Sequence, residues 1–257
     1  MSYAVITGAS KGIGKAMAEE LATKGYSLLL VARSADLLQE LSSRLAGRYG
    51  VKADCLAVDL SATDAAEKVY QHCRNNQYPV TVLVNNAGYG LSGSFEKYSL
   101  ADELNMMQVN MITLVQMTRL FLPVLRDQPK AYILNIASTA AYQAVPYMSL
   151  YAGTKAFVLT FSRGLRWELR KSGVSVTCVS PGATDTEFTV RAKIGEKGLK
   201  TAAKVNMTPE AVAKMAIDGM LAGKAEIIPG LVNKLGAFLV WLMPKGLVEK
   251  TAMKIYE

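Results

Sequence analysis

The strongest constraint on the fold lies at the start of the chain. Tyr3 to Thr7 is a short apolar run that stops at Gly8-Ala9-Ser10-Lys11-Gly12-Ile13-Gly14, and Lys15 to Lys24 then follows a helical pattern. A strand that meets a helix across such a turn can bring its backbone against an anion. The first N–H groups of the helix lack partners, and the helix dipole favours negative charge there. The next run, Tyr26 to Ala32, is apolar almost without interruption, as in a parallel strand covered on both faces. The alternation continues with Asp54 to Leu60, a helix from about Thr63 to Asn76, and Val80 to Val84. A long helix from about Leu100 to Leu125, the run Tyr132 to Ala137, a helix beginning near Ser149, and Val174 to Ser180 complete the series.

Strands and helices in this order predict an α/β fold: one doubly wound Rossmann-type domain, its parallel sheet flanked by helices on both faces. With 257 residues, 51% of them apolar, the chain can bury a large core, and it has no linker or internal repeat before about residue 190. Residues 1–257 are therefore read as one dinucleotide-binding and catalytic domain, with about 186–257 forming a substrate-covering lid and an apolar C-terminal extension. The N-terminus enters a strand at once and lacks the features of a secretory signal, so a cytoplasmic location is expected. Cys55, Cys73 and Cys178 are odd in number and far apart, which argues against disulfides and cysteine metal sites. Cys55 and Cys178 read as core. The single histidine, His72, lies in a polar helical stretch and reads as solvated, and it excludes a multi-histidine metal site. No metal is expected. Nor is nucleic-acid binding, because the net charge of +8 comes without interleaved basic and aromatic residues.

Ligands of an open parallel sheet sit beyond the carboxyl ends of its strands. Arg33 and Ser34 follow the second strand, Asp59 and Leu60 the third, and Asn85-Asn86-Ala87-Gly88 the fourth. An acidic residue at position 33 would suit the ribose hydroxyls of NAD, whereas arginine, with Lys11 in the glycine turn, suits the 2′-phosphate of NADP. Asn110 stands among apolar neighbours, where an amide needs a partner.

Tyr151 and Lys155 lie four apart, on one face of the helix beginning near Ser149. A Tyr-x-x-x-Lys arises by chance about once in a chain of this composition, so context must carry it. Moving a phenol from a pKa of about 10 to about 7 takes roughly 4 kcal/mol. One ammonium at about 4 Å and an effective dielectric of about 20 can supply that. Tyr151 then becomes a proton donor to a carbonyl oxygen, which Ser138, at the end of a strand, could hold. Gly8 to Gly12 also fits the Gly-x-Ser-x-Gly of a hydrolase elbow, but His72 is a poor base and no sheet precedes the turn. A non-catalytic NADPH sensor or membrane-associated binding module is the better rival, although it would have little use for Ser138, Tyr151 and Lys155 together.

Thr7-Gly-x-x-x-Gly-Ile-Gly14, Asn85-Asn-Ala-Gly88, Ser138 with Tyr151-x-x-x-Lys155, and Pro181-Gly182 together resemble the short-chain dehydrogenase/reductase family in its compact reductase branch, over about residues 3 to 190. The resemblance implies an oxidoreductase with Ser138, Tyr151, Lys155 and Asn110 as catalytic residues. Tyr151 and Ser138 would act on the carbonyl oxygen, while Asn110 would support a water relay to Lys155. It implies a nicotinamide cofactor held by Gly8, Ser10, Lys11, Gly12, Ile13 and Gly14, by Arg33, Ser34, Asp59 and Leu60, and by Asn86, Ala87 and Gly88. Tyr151, Lys155, Pro181, Gly182, Thr184 and Thr186 complete that set. Two departures stand out: Gly153-Thr154 replaces the commoner Ala-Ser, and Thr184 stands where Val or Ile is usual.

The expected reaction is hydride transfer from NADPH to the carbonyl of a small hydrophobic ketone, aldehyde or 3-oxoacyl substrate, since Tyr89, Leu91, Tyr142, Val145, Tyr147 and Met148 flank the site. Lys193, Lys197, Lys200 and Lys204 recur at helical spacing in a stretch, Arg191 to Val205, read as a mobile lid. A homo-oligomer, dimer or tetramer, is expected. Leu235 to Met243 is nearly unbroken apolar sequence between Pro229 and Pro244, too short to span a bilayer. It is expected to pack against protein, as pocket cover or subunit contact, in preference to an in-plane membrane contact through Trp241 and its flanking lysines.

Overall fold

The computed structural model describes residues 2–185, 192, 195 and 206–256. Seven strands form one parallel sheet: β1 (Tyr3–Thr7), β2 (Ser27–Ala32), β3 (Ala53–Ala57), β4 (Val80–Asn85), β5 (Ala131–Ile136), β6 (Val174–Val179) and β7 (Glu226–Ile227). Their spatial order is β3-β2-β1-β4-β5-β6-β7. The order reverses beside β1, so the ends of β1 and β4 open a crevice where ligands of such sheets bind.

Alternating residues of each strand feed two cores. On one face Ala4, Ile6, Leu28, Leu30, Val82 and Val84 pack beneath α1 (Gly12–Thr23), α2 (Ala35–Tyr49) and α7 (Pro209–Leu221). On the other, Val5, Leu29, Val31, Leu83, Ile133 and Val176 meet α3 (Ala65–Asn75) and α5 (Thr113–Arg126), and α6 (Ser149–Glu168) packs against β6. This two-sided burial explains why the strands read as continuous apolar runs.

The edge strand β3 is the exception. It is shorter than the run Asp54 to Leu60 suggested, and its residues are half-buried or exposed. Cys55 is therefore a half-buried margin residue, contrary to its reading as core, while Cys178 is fully buried. His72 is half-buried, its ring edge-on to Tyr78 at 6.0 Å, where solvation had been expected.

The helix expected over Leu100 to Leu125 is interrupted. α4 (Leu100–Met107) joins α5 through a π-helical turn at Gln108–Ile112, which carries Asn110. The chain closes with α8 (Leu231–Leu242) and α9 (Lys245–Tyr256), split at Pro244 as expected. Yet α8 has no buried residue.

Candidate functional site

α1 begins at Gly12, three residues before the apolar pattern would start it, because the glycines themselves form its first turn. Gly8 has φ +66°, a left-handed conformation that other residues resist. Gly14 is held by close packing: a Cβ there would fall 2.2 Å from the Gly8 carbonyl oxygen and 2.4 Å from Asn86 Nδ2. Asn86 in turn donates from Nδ2 to the carbonyls of Thr7 (2.9 Å) and Gly8 (3.2 Å). The Thr7 hydroxyl donates to the Val84 carbonyl and accepts from the backbone N–H groups of Asn86 and Ala87. The ends of β1 and β4 are thus tied into one rigid floor with the N-terminus of α1 above it.

A cleft of about 520 Å³ runs along this floor. Gly8, Ser10, Lys11, Gly12, Ile13 and Gly14 line it at α1, and Arg33 and Ser34 at the end of β2. Asp59 and Leu60 follow β3, Asn86 to Gly88 follow β4, and Pro181, Gly182 and Thr184 follow β6. Ser138, Tyr151 and Lys155 share the cleft. Every proposed site residue that is described thus borders it except Asn110; Thr186 and the stretch Arg191 to Val205, apart from Ala192 and Gly195, lie outside the described residues.

Asn110 stands behind the wall. It is 1% exposed; its Oδ1 accepts from the Tyr89 N–H (3.1 Å), and its Nδ2 donates to the Tyr89 carbonyl (2.9 Å) and to Thr154 Oγ1 (3.0 Å). The π turn lets one amide reach both the loop after β4 and the helix α6. Gly88 separates this group from the cleft: a Cβ on it would lie 3.0 Å from Asn110 Oδ1 and 3.2 Å from Lys155 Nζ.

Lys155 is 4% exposed. Its ammonium donates to the Ile136 carbonyl at 2.9 Å and lies 5.8 Å from the centre of the Tyr151 ring. Burial depresses its pKa from 10.5 to about 8, because the charged form loses hydration. An ammonium has three donors, and this one uses a single partner among the described residues. A buried charge so placed at a cleft suits a ligand with hydroxyls, such as a ribose, and the glycine floor suits its pyrophosphate. The residues present therefore fit a nicotinamide dinucleotide. Ser138, in extended backbone at the end of β5, accepts from the Ala140 N–H at 3.2 Å, which fixes its hydroxyl beside the cleft.

Beyond Tyr151 the wall is apolar. Tyr89, Met106, Val145, Met148, Tyr151 and Ala152 form one buried cluster, of which Tyr89, Val145 and Met148 face the cleft. Leu91, Tyr142 and Tyr147 do not line it, contrary to expectation. Tyr142 turns away because its hydroxyl donates to Glu226 on β7. Three polar cleft residues escaped the sequence reading: Asn105, which accepts from the Tyr89 hydroxyl at 2.6 Å, Thr139 and Gln143. No motif marks any of them; only the placement of α4 and the turn before α6 reveals them.

Comparison with known proteins agrees with this geometry. A family model described as short chain dehydrogenase matches residues 2–221. The chain is 38% identical over 192 residues to very-long-chain 3-oxoacyl-CoA reductase-B of Danio rerio, covering 72% of this chain and 60% of that protein. It thus spans about three fifths of the length of that relative. Against very-long-chain 3-oxoacyl-CoA reductase of Rattus norvegicus it is 31% identical over 258 residues, covering 98% and 78%. The structure of a short-chain dehydrogenase from Sphingobium yanoikuyae in complex with NADPH superposes with a TM-score of 0.83 at 31% identity, covering 96% of this chain and 95% of that one.

Proposed function

This chain belongs to the short-chain dehydrogenase/reductase family of nicotinamide-dependent oxidoreductases, and we propose that it reduces the carbonyl of a hydrophobic ketone, aldehyde or 3-oxoacyl substrate with NADPH. One observation carries the reading: Ser138, Tyr151 and Lys155 border one cleft whose glycine floor and Arg33 lie along one stretch and whose apolar wall of Tyr89, Val145 and Met148 lies along another.

The bound cofactor would supply hydride. The chain's own residues do the rest. The backbone at the start of α1 takes the pyrophosphate, and Arg33 with Lys11 takes the 2′-phosphate. Asn86 to Gly88 form the wall beside the cofactor, and Lys155 binds ribose hydroxyls with the donors that Ile136 leaves. Ser138 holds the substrate oxygen, and Tyr151 gives it a proton as negative charge develops there. Lys155 then steadies the phenolate that remains, favouring the charged phenol more strongly in a dry site than it would in water. The apolar wall excludes water and receives the substrate chain.

The names of the relatives favour a 3-oxoacyl thioester among these substrates. The test is NADPH oxidation against ketones, aldehydes and 3-oxoacyl thioesters of graded chain length. Efficiency should rise with chain length; indifference to chain length would remove the apolar wall from the account of substrate choice.

A further inference from the structure

α8 is built inside out for a water-facing helix. Asn233, Ala237 and Val240, spaced i, i+4, i+7, are half-buried on its inner side, whereas the bulky side chains point outward. Leu231 is 86% exposed, Trp241 78%, Leu242 63% and Leu235 58%. Val232, Phe238 and Leu239 widen this apolar face, and Leu247 on α9 is likewise exposed. Nothing in the described chain covers it, and no cleft-lining residue comes from it, so the pocket-cover expectation gives way.

Charge selects the occupant. Residues 231–257 carry four lysines, Lys234, Lys245, Lys250 and Lys254, against two glutamates, Glu249 and Glu257, and all four lysines are exposed. A second copy of the chain packed on this face would set one net-positive surface against another, and like charges repel. An anionic bilayer satisfies both halves of the surface: the apolar face enters the acyl boundary while the lysines meet head-group phosphates. Trp241 belongs at that boundary, where an amphipathic ring keeps its N–H wet. Twelve helical residues measure about 18 Å, too short for a hydrocarbon core of about 30 Å, so the helix must lie in the plane.

We propose that α8 and α9 form an in-plane docking element for anionic phospholipid surfaces. The helix starts at the rim of the cleft. Asn233 Oδ1 lies 2.3 Å from where a Cβ on Gly182 would be, and α8 packs against the turn Thr139–Tyr142, whose first residues line the cleft. Docking therefore sets the cleft beside the lipid, from which an apolar substrate could pass without crossing water. The docking itself does not depend on the reaction proposed above; a vesicle-binding chain without reductase activity would leave it standing.

The test is co-sedimentation of the full chain with phosphatidylcholine vesicles, with and without phosphatidylglycerol. A Trp167→Phe background leaves Trp241 as the reporting fluorophore. Binding should require phosphatidylglycerol, weaken with salt and shift Trp241 emission to the blue. Leu235→Glu with Trp241→Glu, both at exposed positions, should lower partitioning about tenfold or more while the melting temperature holds. Each lysine changed to Gln should lower it roughly fivefold. Equal partitioning of parent and variants, or no binding by the parent, would overturn the proposal. So would a dimer that the Glu variant converts to monomer while neither binds vesicles, which would give the surface to a second copy.

Discussion

The Lys155 ammonium, on the second turn of α6, donates to the backbone carbonyl of Ile136, the last residue of β5, at 2.9 Å. This bond ties the helix bearing Tyr151 to the strand leading to Ser138, and it buries a charge to do so. That burial has a measurable signature. Lys155 titrates at about 8 in the folded chain against 10.5 ordinarily, so the unfolded chain holds more protons between those values and stability contributed by this residue rises with pH there. Below pH 8 the full cost of burying the charge is present, and above about 10.5 it is gone. Lys155→Met should therefore be favoured over the parent most strongly at pH 7, and its advantage should shrink by about 3 kcal/mol on going to pH 10.5. Urea melts of both proteins across this range measure it; a pH-independent difference would contradict it.

Gly14→Ala should disable cofactor binding and lower stability together. Its methyl would strike the Gly8 carbonyl and the Asn86 amide, both held in the floor of the cleft by hydrogen bonds. Overpacking of this kind costs about 1–3 kcal/mol. Thermal melts with and without NADPH should show a lower melting temperature and little stabilisation by the cofactor.

Arg33→Ala should erode discrimination between NADPH and NADH. Arg33 is exposed at the cleft and makes no ion pair among the described residues, which suits it to pair with a ligand phosphate. A charged hydrogen bond of about 1.5–3 kcal/mol corresponds to roughly 10- to 100-fold in affinity, which is the expected loss for NADPH with little change for NADH. Titration of both cofactors into parent and variant decides it; equal affinity of the parent for the two would contradict the assignment.

Much of this site could be read from the sequence because its parts are backbone devices. Glycines at 8, 12 and 14 are demanded by sterics, and the apolar runs of β1, β2 and β4 are demanded by two-sided burial, so both leave marks in a single sequence. Tyr151 and Lys155 were legible because one helical turn fixes their relation. Asn105, Thr139 and Gln143 were not, since their place in the cleft depends on how α4 and a turn are set by distant packing. Tyr142 sits beside the site in sequence yet turns away, drawn by a carboxylate 84 residues further on. The apolar run in α8 was visible, but which side faces outward is a property of its seat on Gly182 and the turn after Ser138.

The most direct measurement is single-turnover NADPH oxidation with an active 3-oxoacyl thioester or ketone, comparing the parent with Tyr151→Phe, alongside NADPH binding to each. Tyr151 is buried beside the cleft, and the substitution removes only its hydroxyl. If Tyr151 is the proton donor, the rate should fall by about 10²- to 10⁴-fold while NADPH affinity stays within a few-fold. A variant that retains most of the parent rate would contradict the proposed chemistry.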